Sequence, residues 1–107
     1  SIPNKLNNKK EKHYQTIFYL FFRLMGQYID VEVATAIGRA DAVVKLQDAI
    51  YVFEFKIDGT PEEALAQINS KGYAIPYQAD HRKIVKVGVN FDSATRTIGE
   101  WKIELGS

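Results

Sequence analysis

The stretch IYVFEFKID, residues 50–58, constrains the fold more tightly than any other part of the chain. Its apolar residues fall on both odd and even positions, so both of its faces ask for burial. An apolar run of this length bounded by polar residues reads as a central β-strand. Yet Glu54 and Lys56 interrupt it. Side chains alternate along a strand, so these two charges share one face, while Phe55 points the other way with Tyr51, Phe53 and Ile57.

The preceding strand supplies a partner for Glu54. If Gln47 and Asp48 form a two-residue turn, Asp41 lies directly opposite Glu54; a four-residue loop in the same register gives the same pair. Opposed residues on antiparallel strands have Cβ atoms about 4.5–5.5 Å apart. Two carboxylates about 5 Å apart repel by roughly 3 kcal/mol at an effective dielectric of 20. Either one takes a proton or a cation sits between them. Lys56 is one candidate cation and a divalent metal is the other. Oxygen-only ligation suits hard ions such as Mg²⁺ or Mn²⁺. The chain has no cysteine, and its two histidines, His13 and His81, are not in metal-ligand spacing. A Glu-x-Lys triplet also arises as a solvated strand face or a surface salt bridge, and that reading stays open at this point.

The remaining elements follow in order. Residues 1–9 read as a polar lead-in. A helix is expected over residues 10–26, where Tyr14, Ile17, Phe18, Phe21, Leu24 and Met25 recur at helical spacing. Tyr19, Leu20 and Phe22 widen its apolar face enough to suit a second surface, such as another domain or a twin subunit. Residues 28–35 alternate as a strand, and a second strand is expected over 39–46, before the third at 49–57. DGTPEEALAQINSKGY carries a helix signature: Thr60 at the N-cap, Pro61 at the first helical position, a T-x-x-E capping box through Glu63, and Gly72 as the stop. KIVKVGVNF and RTIGEWKIEL read as two final strands. The fourth strand, arriving after a helical crossover, can pair parallel within the sheet. The fold class is α/β with a mixed central sheet.

Composition narrows the class further. The chain has 107 residues, 46% hydrophobic and 25% charged, with a net charge of +1. That suits one ordinary globular domain, spanning residues 10–105. The near-neutral balance excludes no polyanionic partner, since a local basic patch suffices. The run IFYLFFRLMG is broken by Arg23 and is shorter than the roughly 20 residues a membrane span needs, so core is expected there and no membrane partner. The lack of cysteine fits a reducing compartment, the cytoplasm. The chain opens with Ser1 and its only methionine is Met25, so a fragment of a longer protein is expected.

GRADAVV, then YVFEFK, then ALAQINSKGYA together resemble the PD-(D/E)XK nuclease superfamily, more closely the bacterial nuclease-like domain that follows an AAA-type ATPase-like domain. The resemblance runs from EKHYQ to WKIEL and includes GVNFDSATRTIGEW. It implies a restriction-endonuclease-like αβββαβ core plus a final strand, in agreement with the element order above. It also implies roles. Asp41 and Glu54 match the metal-binding carboxylates, Lys56 the lysine of the motif, and Gln67 and Tyr73 the motif on the later helix. Glu11 matches, more loosely, an acidic residue on the first helix. Ala40 stands where the motif's name has proline. The Phe55 carbonyl is a further candidate ligand, and Arg39 a candidate for the substrate phosphate or for pairing with Asp41 or Glu54. Gln67 either faces the site or is an exposed helix residue.

These readings point to a metal-dependent nuclease-like domain acting on a phosphodiester backbone, DNA before RNA, joined to an N-terminal ATPase-like domain. Two alternatives remain: a catalytically silent nuclease fold serving as a binding or regulatory module, and a dimerisation domain, here a homodimer.

Overall fold

A computed structural model of the chain describes residues 40–106. The helix expected at 10–26, the strand expected at 28–35, and Glu11 and Arg39 lie outside the described residues.

The described residues form a four-stranded mixed sheet in chain order, β1 (Ala42–Lys45), β2 (Ala49–Ile57), β3 (Lys83–Asp92) and β4 (Thr97–Leu105). Helix α1 (Pro61–Ser70) and a short 3₁₀ turn (Ile75–Tyr77) connect β2 to β3. The β1–β2 hairpin is antiparallel, with Ala42 opposite Phe53 and Lys45 opposite Ile50. Leu46 N–H donates to Ala49 O at 2.9 Å, leaving Gln47 and Asp48 as the two-residue turn that sets this register. β2 then pairs parallel with β3 through the α1 crossover, and β3 pairs antiparallel with β4. The third strand and the parallel crossover are as expected from the sequence. The second strand is shorter than expected, because its ladder begins only at Ala42.

β2 is apolar on both parities because both of its faces are buried. On one side Ile50 and Val52 pack with Ile68 of α1, Tyr73, Ala74 and Ile84. On the other, Tyr51 and Phe53 are buried in line with their β3 partners Val85 and Val87. Helix α1 begins as its residues dictate. Thr60 Oγ accepts from Glu63 N–H at 3.0 Å, and Pro61 occupies the first turn, where its missing N–H costs nothing. The capping box closes differently from the usual reciprocal pattern: the Thr60 hydroxyl itself donates to the Glu63 carboxylate at 3.1 Å.

The helix ends on Gly72, at φ +66°, in a conformation that favours glycine. Tyr73 N–H donates to Ile68 O at 3.0 Å and Gly72 N–H to Asn69 O at 3.2 Å, the paired bonds of a Schellman stop. This turn folds Tyr73 back under the helix it follows.

Gly88 of β3 allows α1 to lie close on the sheet. A Cβ at that position would overlap Pro61 O and approach Leu65 Cγ to 2.9 Å. Gly88 is the ladder partner of Glu54, so the close approach sets the height of α1 above the two charged positions of β2.

Candidate active site

Continuing the β1–β2 register one step beyond Ala42 and Phe53 brings Asp41 opposite Glu54. The Leu46–Ala49 bond fixes the alternation, so this is a non-hydrogen-bonded position, where facing side chains come closest. The two residues are tied across the gap. Asp41 N–H donates to Glu54 Oε1 at 3.4 Å, and Phe55 N–H donates to Asp41 Oδ2 at 2.9 Å. Where the β1 ladder stops, the Asp41 side chain takes the N–H that a further backbone carbonyl would otherwise accept. In an antiparallel pair the N–H and C=O of one residue address the same neighbour, so the Phe55 carbonyl points to this same edge.

Glu54 is a buried charged residue in the apolar core, only 5% exposed. Burial raises its pKa from 4.5 to about 7, and the negative charge of Asp41 adds to the rise; the hydrogen bond from Asp41 N–H and the charge of Lys56 act the other way. A carboxyl in this state holds a proton near neutrality unless a cation replaces it.

Lys56 shares the face of Glu54 and forms no ion pair with either carboxylate. Its ammonium instead donates to Gln67 Oε1 on α1. The other end of that amide, Gln67 Nε2, donates to the Tyr73 hydroxyl at 3.0 Å. Gln67 is half-buried and turned toward the site rather than exposed to solvent. Thus the structure brings together Asp41, Glu54, Phe55, Lys56, Gln67 and Tyr73.

Asn90 and Asp58 also bear on the site, although no sequence pattern marks them. Asn90 is the ladder partner of Lys56, and its Oδ1 accepts from Gly59 N–H at 2.8 Å. Asp58, at φ +53°, takes Ser93 N–H on Oδ1 at 3.0 Å and the Ser93 hydroxyl on Oδ2, bonds that lower its pKa. Together they fasten the β2–α1 loop to the end of β3. The one available signal was an asparagine following the apolar run KIVKVGV. Glu62 and Glu63, at the first turn of α1, serve the helix: Glu62 pairs with Lys102 and Glu63 with the Thr60 cap.

No group of three or more His, Asp or Glu side chains is arranged to hold a metal among the described residues. The two-carboxylate set still fits a hard cation. Both members are oxygen donors, each uses one oxygen on a backbone N–H, and Glu54 is held in the core against its preference for charge. No helix among the described residues is long and apolar enough to cross a membrane.

The family model of the PD-(D/E)XK nuclease superfamily matches residues 9–101. The chain belongs to that superfamily. A protein of Azotobacter chroococcum mcd 1, described as an uncharacterized protein in the vnfD 5' region, is 36% identical over 96 residues. The match covers 88% of this chain but 19% of that protein, so the chain spans about a fifth of its relative's length. No solved structure matches the chain. The mixed sheet with its crossover helix is consistent with a restriction-endonuclease-like core. PD-(D/E)XK nucleases generally use divalent metals.

Proposed function

We propose that this chain is a metal-dependent nuclease domain that hydrolyses phosphodiester bonds, DNA before RNA. The observation that carries the reading is the facing pair of half-buried Asp41 and buried Glu54, with Lys56 held on the same face without collapsing onto them. Asp41, Glu54 and the Phe55 carbonyl would hold Mg²⁺ or Mn²⁺, with Glu11 a further candidate. Such an ion, when bound, supplies Lewis acidity toward a phosphate oxygen and makes a nearby water easier to deprotonate.

The residues divide the remaining work. Glu54, relieved of its proton, contributes a second negative charge beside Asp41 and so fixes the cation rather than repelling its neighbour. Lys56 presents a positive charge and three N–H donors at the edge of the pair, where it can orient the attacking water or meet the charge that develops on the phosphoryl oxygens. Gln67 fixes the direction of that ammonium. Arg39 is proposed to contact the substrate phosphate.

The relative's greater length leaves room for other domains, and we propose that an ATPase-like domain precedes this one. We assign the domain to residues 10–105 and the longer protein to the cytoplasm. The metal site is tested by calorimetry. Mn²⁺ should bind the wild type, and Asp41→Asn and Glu54→Gln should each weaken binding strongly. Unchanged affinity in both variants would remove the site.

A further inference from the structure

Lys56 presents a problem that its neighbours solve. Its strongest electrostatic option is to swing onto the Asp41–Glu54 pair two residues away, where it would neutralise them and occupy the oxygens that a metal needs. It does not do so; its ammonium is bonded to Gln67 Oε1.

An amide side chain can turn either end toward a neighbour, and only the oxygen end attracts an ammonium. With its NH₂ facing Lys56, Gln67 would repel it. Lys56, which can only donate, selects the Oε1 end. The Tyr73 hydroxyl takes the other end, accepting from Gln67 Nε2 at 3.0 Å, and so anchors the amide where Oε1 meets the lysine. Tyr73 is itself immobilised, 8% exposed within the core cluster, and its backbone is fixed by the helix stop at Gly72.

We propose that Tyr73 is a positioning residue whose hydroxyl, through Gln67, holds Lys56 off the Asp41–Glu54 pair and keeps their oxygens open to a divalent cation. This role rests on the metal-site reading above. The Tyr73 hydroxyl bonds to Gln67 and to neither carboxylate, so its effect on the pair passes through Lys56.

The test is a pair of substitutions read by Mn²⁺ calorimetry on the 107-residue protein. Tyr73→Phe keeps the ring in the core and removes only the hydroxyl. It should weaken Mn²⁺ binding by about tenfold, the equivalent of roughly 1.4 kcal/mol. Adding Lys56→Met should restore the affinity to that of Lys56→Met alone, because no ammonium is left to compete. A merely structural tyrosine behaves otherwise: the weakening persists in the Lys56→Met background, and that result overturns the proposal. Wild-type affinity in Tyr73→Phe overturns it as well. Should Tyr73→Phe fail to fold, Gln67→Met, at a half-buried position on α1 and with good helix propensity, should give the same loss and the same rescue.

If the wild type binds no Mn²⁺, the metal reading fails, and the ¹⁵N spectrum of the Lys56 ammonium then decides the positioning role. A signal protected from exchange in the wild type and lost in Tyr73→Phe supports it; identical signals in both overturn it.

Discussion

At the scale of single residues, Glu54 is the group whose state the surroundings control most. Its folded pKa of about 7 lies above the 4.5 of an unperturbed glutamate, chiefly because it is buried and then because Asp41 faces it. Between those values the native state binds a proton that the unfolded chain does not. Stability of the metal-free protein therefore falls as pH rises through that window, by roughly 3 kcal/mol in total. Urea denaturation at pH 5 and pH 8 with a chelator present should show the loss, and Glu54→Gln should flatten it. Metal affinity should run in the opposite direction, strengthening from pH 6 to pH 8 as the competing proton leaves. Lys56→Ala leaves the carboxylate pair in place, so it should retain Mn²⁺ binding while losing most cleavage.

At the scale of elements, the site depends on how closely α1 lies on β3. Gly88→Ala places a methyl group against Pro61 O and Leu65, so the helix must lift. The expected cost is about 2 kcal/mol or more, seen as a lower urea midpoint, together with displacement of Gln67 from Lys56. The hairpin register and the ends of α1 were legible in the sequence, because local chemistry sets them: a two-residue turn, a threonine cap and a stop glycine. The meeting of Asp41 with Glu54 followed from register alone. The Lys56–Gln67–Tyr73 chain of bonds did not. It depends on the rotation and height of α1, which come from the space above Gly88 and the turn at Gly72, and no periodicity reports either. The Asp58–Ser93 fastening escaped for a related reason, since it joins two loops 35 positions apart in sequence. The Ile75–Tyr77 turn was hidden because the sequence around Pro76 carries no pattern beyond the proline itself.

At the scale of the whole molecule, the facing Asp41–Glu54 pair should make the fold respond to metal. An ion that binds only the native state stabilises it by RT ln(1 + [L]/Kd), roughly 2.7 kcal/mol at a hundredfold excess over Kd. Saturating Mn²⁺ should thus raise the melting temperature of the wild type and leave that of Asp41→Asn nearly unchanged. The superfamily assignment accounts for the sheet and the motif residues, and the catalytic competence of the set is a separate matter of chemistry. It is tested most directly by cleavage of single- and double-stranded DNA and RNA with Mg²⁺ or Mn²⁺, the wild type being compared with Lys56→Ala and with a chelated control. Metal-dependent hydrolysis by the wild type, abolished by chelation and reduced by at least about a hundredfold in Lys56→Ala, is the predicted result. Cleavage that survives both chelation and Lys56→Ala, or a wild type that binds Mn²⁺ at Asp41 and Glu54 yet cuts none of the four substrates, would contradict it.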